Sequence, residues 1–153
     1  MTFTVGGSYD GTGTESDPFL ITNNDEWSAF AQNTKNDKTY NGKFLKLTAG
    51  IDATESTGLF SGTFLGNNQT INAAIDAGEA STALFGSLDG GTIKDLIVAG
   101  TISGGTNTAA LVLSAGNSGT NLILNCVVNA TVTSSGDHVG GFLADVSLIV
   151  SFG

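Results

Sequence analysis

The chain has no arginine, and it has one proline (Pro18), one cysteine (Cys126), one histidine (His138) and one tryptophan (Trp27). A lone cysteine permits no internal disulfide. It lies in the apolar run Leu122-Ile123-Leu124-Asn125-Cys126-Val127-Val128, where a thiol reads as a buried, inert packing group and not as a nucleophile. One histidine and one buried cysteine cannot complete a zinc site. Cations are scarce: Lys35, Lys38, Lys43, Lys46 and Lys94 face 14 acids, giving a net charge of −9 and a pI near 4.1. Nucleic-acid binding requires cations to neutralise phosphates and is disfavoured. An anionic membrane surface is disfavoured on the same ground. No stretch approaches the roughly 18 apolar residues of a membrane span. The opening Met1-Thr2-Phe3-Thr4-Val5-Gly6 has neither the basic start nor the apolar centre of a signal peptide, so an exported protein would have lost its signal.

What the chain does have is glycine, 22 residues of it, and a hydrophobic fraction of 40% against 12% charged residues. Many glycines without many prolines suit repeated tight turns between strands better than a flexible linker. A mean hydropathy of +0.16 argues against disorder. The length of 153 residues suits one domain, which at this size buries roughly two-thirds of its unfolded surface.

Three zones follow one another. The first, residues 2–25, is rich in glycine, threonine and acids and holds one strand candidate, Phe19-Leu20-Ile21-Thr22. The second is a predicted helix over about residues 25–35. Asn24 or Asp25 can cap it, Asp25 and Glu26 suit its positive end, and Lys35 lies near its close. Trp27, Phe30 and Ala31 recur at three- and four-residue spacing and make a short apolar face that must cover something. Residues 1–42 therefore read as an N-terminal cap and residues 43–153 as a repetitive body.

In the body, short apolar runs alternate with glycine and asparagine. Ala83-Leu84-Phe85-Gly86 is echoed by Ala110-Leu111-Val112-Leu113 and by Gly141-Phe142-Leu143-Ala144. Between the echoes lie strand-length runs at residues 92–98 and 122–128, then at 100–104 and 130–134. Leu148-Ile149-Val150 is a last such run. Three short strands per repeat of about 20–30 residues is the pattern of a β-solenoid coil. The predicted fold class is all-β: a right-handed parallel β-helix with one N-terminal capping α-helix. Leu84 is expected to stack under Leu111 and Phe142, and Ile93 under Ile123, while Asn125 and Asn129 are candidates for corner ladders.

These residues carry a family resemblance. Asn125-Cys126-Val127-Val128-Asn129-Ala130-Thr131-Val132, followed by Val139-Gly140-Gly141-Phe142-Leu143, resembles the GLUG repeat of bacterial surface and adhesin-like proteins. Gly91-Thr92-Ile93-Lys94-Asp95-Leu96 is similar to a neighbouring copy. Phe60-Ser61-Gly62-Thr63-Phe64-Leu65-Gly66-Asn67-Asn68-Gln69-Thr70-Ile71 resembles the segment preceding such repeats, and Gly13-Thr14-Glu15-Ser16-Asp17-Pro18-Phe19-Leu20-Ile21 the usual opening of these domains. Ala110-Leu111-Val112-Leu113 departs from the Gly-Leu-Val-Gly form. The resemblance implies a structural repeat, a location at the cell surface or outside the cell, and more coils beyond those present.

Some parallel β-helices are polysaccharide lyases or hydrolases. A lyase needs a base and a cation at the developing enolate, yet Lys94 is the only lysine beyond position 46 and the chain has no arginine. A hydrolase needs two carboxylates about 5–10 Å apart; Asp89 with Asp95, or Asp76 with Glu79, are the pairs to test. His138 follows Asp137 in a turn-like sequence with no nucleophile placed beside it. Calcium is the metal to consider: Asp10, Glu15 and Asp17 lie among glycines and threonines and are the candidate ligands, although their spacing is not that of an EF-hand. Asn68-Gln69-Thr70 and Asn129-Ala130-Thr131 match the glycosylation sequon. The leading expectation is a non-catalytic structural or adhesion module of a secreted or cell-surface protein, with no resident cofactor. Its expected partners are a host protein or glycan on its Thr/Ser/Asn-rich flanks, and other copies or downstream coils at its C-terminal end. The rival readings are a virion or filament protein assembling end to end and, last, a carbohydrate-active β-helix enzyme.

Overall fold

Alternation of buried and outward side chains with a period of two makes each short run a strand with one face inward. In a computed structural model, which describes residues 9–146 and 150–152, these runs wind into a parallel β-solenoid of about five turns. The elements begin with β1 (Phe19–Ile21), α1 (Asn24–Lys35), β2 (Phe44–Leu47), β3 (Ile51–Ala53), β4 (Leu59–Phe60) and β5 (Thr63–Leu65). They continue with β6 (Thr70–Asp76), β7 (Phe85–Leu88), β8 (Thr92–Lys94), β9 (Ile97–Gly104), β10 (Asn107–Ala109) and β11 (Val112–Ala115). The last are β12 (Asn121–Leu124), β13 (Val127–Val128), β14 (Thr131–Ser134), β15 (His138–Gly140), β16 (Leu143–Val146) and β17 (Val150–Phe152). Leu148 and Ile149 of the last sequence run lie outside the described residues.

Successive coils contribute one strand each to three long sheets. The first runs β1-β2-β5-β8-β12-β17, the second β3-β6-β9 with β13 and β14 both on β9, and the third β4-β7-β11-β16. A small fourth pairs β10 with β15. Register puts like on like: Leu45, Phe64, Ile93 and Ile123 form one inward column, none more than 2% exposed. Ile51, Ile71 and Val98 form another, and Phe60, Leu88 and Ala115 a third. The pairing of Phe85 with Val112 and of Val112 with Leu143 sets Leu84, Leu111 and Phe142 in the expected column, and Ile93 meets Ile123 as expected.

Two apolar runs that read as continuous strands, residues 93–98 and 122–128, each turn a corner instead. Asp95 (φ 55°) and Asn125 (φ 50°) sit there in the left-handed region, which Asp and Asn tolerate better than other side chains. Gly100 makes a second such point inside β9: its φ is +91°, and a Cβ there would collide with the Ala73 carbonyl of the coil below. One coil later Ala130 occupies that register position, does not adopt a positive φ, and the strand divides into β13 and β14.

The helix begins one residue earlier than predicted, and its cap is Asn23, neither Asn24 nor Asp25. The Asn23 side chain accepts from the Glu26 N–H at 2.9 Å, while the Glu26 carboxylate accepts from the Thr22 N–H at 2.6 Å. Asn24 is free for another task, accepting from the Asp52 N–H at 2.8 Å and so tying the helix to β3. The apolar face does cover something. Trp27 and Phe30 are fully buried on an aromatic cluster with Phe60, Phe64 and Phe85; the Trp27 ring lies 5.5, 6.1 and 5.8 Å from Phe30, Phe64 and Phe85, edge to face in each case. The indole N–H donates to the Glu55 carbonyl, and Gly58 N–H donates to the Thr34 hydroxyl, so polar groups lock the lid that the rings fill.

Trp27→Ala is expected to lower stability by about 3–5 kcal/mol, the range for removing a large core aromatic. Denaturant unfolding followed by far-ultraviolet circular dichroism would register it as a shifted midpoint. A loss below about 1 kcal/mol would show that the helix does not seal the coil beneath.

Candidate functional site

The N-terminal loop proposed for calcium closes on itself. The Asp17 carboxylate accepts from the Thr12 N–H at 3.1 Å and the Thr12 hydroxyl at 3.0 Å, and the Asp17 carbonyl accepts from the N–H groups of Thr12, Gly13 and Thr14. Asp10 and Glu15 are exposed. Among the described residues no three acids, histidines or cysteines gather as a group that could hold a metal ion, so Asp10, Glu15 and Asp17 are not brought together as one.

Of the carboxylates weighed for hydrolysis, Asp76, Asp89 and Asp95 are engaged in turns or between coils, while Glu79 is exposed. Asp89 Oδ1, ahead of β8, accepts from the N–H groups of Ser118 and Gly119 at 2.7 and 3.2 Å. Asp95 lies past the other end of β8, where its Oδ1 accepts from the Asn125 amide at 2.6 Å. Asp76 Oδ1 accepts from the Gly78 N–H at 3.0 Å and the Ser103 hydroxyl at 3.2 Å. These bonds join one coil to the next or brace a turn. The Asn125 ladder expected from sequence is thus present, with an aspartate as its second member. Asn129 is exposed and aligns with Ala99, so among the described residues its neighbour in the column is apolar.

His138 is exposed at the start of β15, in register with Asn107. The Cys126 thiol is half-buried and donates to the carbonyl of Leu124 at 3.3 Å; burial pushes its pKa up, so the thiolate is disfavoured, as for a packing group. The two sequon asparagines, Asn68 and Asn129, are exposed.

Concave surface lies elsewhere. A groove of about 410 Å³ is lined by Thr22, Asn23, Asn24, Asp25 and Gly50. A second, about 280 Å³, shares Asn24 and Gly50 and adds Ile51, Asp52, Thr70 and Asn72. A third of about 270 Å³ lies on another flank between Thr39, Asn41, Ser61 and Asp89. Amides, hydroxyls and carboxylates line all three; no cation, histidine or thiol does. Such linings can hydrogen-bond hydroxyls or peptide groups. The first two grooves are held by a chain of planar side chains: Asn24 on the Asp52 N–H, and the Asn72 amide donating to Asp52 Oδ1 at 3.1 Å. Sequence reading missed this chain. Its signal was the twenty-residue step from Asp52 to Asn72, one coil length.

Comparison with protein-family models, curated proteins and solved structures returns no match.

A tyrosine pair fastens the loop before β1 to the cap. The Tyr9 and Tyr40 hydroxyls lie 3.1 Å apart, and the Asn33 amide donates to Tyr40 at 2.9 Å. Burial, first of all, raises the pKa of both phenols above 10. A raised folded-state pKa gives stability that is fully present below the unfolded value near 10 and is lost as pH rises through the folded value. Phenolate absorbance is therefore expected to appear later than in free tyrosine, in step with loss of native Trp27 fluorescence. Titration at the free-tyrosine pH, with fluorescence unchanged, would disprove the coupling.

Proposed function

We propose that the chain is a non-catalytic structural or adhesion module of a bacterial secreted or cell-surface protein, of the kind that carries GLUG repeats. In this reading the coils act as a spacer that presents a polar outer surface, and a host protein or glycan is bound by hydrogen bonds at the grooves beside Asn24, Asp52 and Asn72. The support is the use the fold makes of its acids: Asp76, Asp89 and Asp95 spend a carboxylate oxygen on turns and on the coil next door. A hydrolytic pair would need its carboxyls directed at one bond. The low charge and the Asn/Thr lining suit uncharged, hydroxyl-bearing ligands, which a net charge of −9 does not repel.

A glycan and glycoprotein array probed with the chain is expected to give saturable binding with no release of sugar product on prolonged incubation. Pairing Asp52→Ala with Asn72→Ala should weaken that binding about tenfold, equivalent to about 1.4 kcal/mol, while the unfolding midpoint moves little. Sustained turnover of any polysaccharide would replace this reading with an enzymatic one.

A further inference from the structure

The loop that Asp17 closes runs straight into Pro18, the chain's one proline, so the two residues share an Asp–Pro bond, a tertiary amide. The Asp17 carbonyl oxygen is the centre of that loop. The N–H groups of Thr12, Gly13 and Thr14 donate to it at 3.1, 2.9 and 3.2 Å, and the Thr12 hydroxyl stands 3.5 Å away. A carbonyl oxygen has two lone pairs, so this is more donation than closing a turn requires. Convergent N–H groups of this kind stabilise an oxyanion where one develops. Gly11 makes the convergence possible: its φ is +95°, and a Cβ there would overlap the Pro18 carbonyl and stand 3.3 Å from the Asp17 carbonyl oxygen. The Asp17 side chain is drawn to the same spot. The Thr12 N–H donates at 3.1 Å both to the Asp17 carbonyl and to Oδ2, and the Thr12 hydroxyl donates to Oδ2 at 3.0 Å. The carboxyl is thus held beside its own main-chain carbonyl.

We propose that this loop is a self-cleavage site, at which the chain breaks its own Asp17–Pro18 bond without a protease. The acid form of the Asp17 carboxyl reacts. One of its oxygens attacks the Asp17 carbonyl carbon and closes a five-membered ring, and the oxyanion forms under the three N–H groups. The carboxyl proton passes to the Pro18 nitrogen, the C–N bond breaks, and Pro18 leaves as the secondary amine of a new N-terminus. Water then opens the cyclic anhydride at Asp17 to two carboxyls. The sum is hydrolysis of one peptide bond with no change of oxidation state. Attacking and attacked groups belong to one residue, so no encounter has to be arranged. Tyr9, Asp10, Glu15, Tyr40, Lys43 and Lys46 are the other titratable groups of the loop and of the segments it packs on, and none of them bonds to Asp17 among the described residues. The break falls just ahead of β1, whose three residues are held by pairing with β2, so the coils stay wound after it. The event happens once per chain and turns over no substrate. It is independent of the adhesion reading.

The test incubates the full chain in buffers from neutral to mildly acidic in which Trp27 fluorescence stays native, beside a sample unfolded in urea at each pH. Mass spectrometry is expected to find a peptide ending at Asp17 and a remainder opening at Pro18-Phe19-Leu20, together heavier than the intact chain by one water. The rate should be first order, independent of protein concentration, and faster as pH falls, because the acid form of the carboxyl reacts. It should be at least about tenfold faster in the folded chain than in urea, a modest share of what one aligned oxyanion donor supplies. Asp17→Asn keeps an acceptor for Thr12 and should abolish cleavage. Gly11→Ala leaves the Asp–Pro bond as it is but crowds the loop, and should bring the folded rate down to the rate in urea. No cleavage, equal rates folded and unfolded, or an undiminished rate in either variant overturns the proposal. If a variant disturbs native Trp27 fluorescence, the folded-to-urea ratio of the unaltered chain decides alone.

Discussion

A single coil of this chain encloses too few side chains to hide any of them, so the inward residue of each strand depends on the residue one coil above and one below. That dependence is carried by register. The first sheet can place Leu45, Phe64, Ile93 and Ile123 in one dry column only because its strands are parallel and in step. A slip of one residue would exchange these four for Phe44 or Lys46, Thr63 or Leu65, Thr92 or Lys94, and Leu122 or Leu124; a slip in one of the two directions sends lysine inward. Each buried branched or aromatic side chain contributes about 1.5–3 kcal/mol relative to exposure, so a slip costs many such contributions at once. Register is therefore enforced by the whole column and not by any one pair.

The corners are where the chain spends its polar groups. A coil must turn about three times, and each turn needs backbone that ordinary residues resist. Asp95 and Asn125 take the left-handed conformation, and the amide of one donates to the carboxylate of the other at 2.6 Å, so the residue type that permits the bend also ties it to its neighbour. Gly66, in the same corner one coil earlier, has no room for a side chain: a Cβ would stand 2.5 Å from the Asp95 carbonyl oxygen. The corner thus mixes residues that bond upward with one that only yields space. This explains why the sequence repeat is weak while the structural repeat is regular.

Most of the fold could be read from the sequence for the same reason. Columns demand apolar residues at fixed offsets, so the echoes at Leu84, Leu111 and Phe142 are visible even with unequal spacing, and the Trp27–Phe30 face announces a lid. The corners inside residues 93–98 and 122–128 were not legible, because Asp95 and Asn125 stand between apolar residues on both sides and look like outward positions of one strand. The helix cap was misplaced by one residue because Asn23, Asn24 and Asp25 are all competent caps; the choice is made by Asp52, whose N–H claims Asn24. The grooves were hidden from sequence for a related reason: residues from the helix, β3 and β6 meet there only after the coils have wound.

The division of labour between columns and corners also governs where function can reside. Among the described residues the interior is lined mainly by apolar side chains, with Thr34, Thr57, Thr82, Thr108 and Asn121 buried beside them, and the grooves open on the outside. On the strands the outward residues are unconstrained by packing; at the corners the acids are committed to turns. Hydroxyls and amides line the grooves, two of them where α1 lies beside β3 and β6 and a third between Thr39, Asn41, Ser61 and Asp89. On the reading proposed above, recognition would be spread over several weak hydrogen bonds, with spacing set by rungs about 4.8 Å apart.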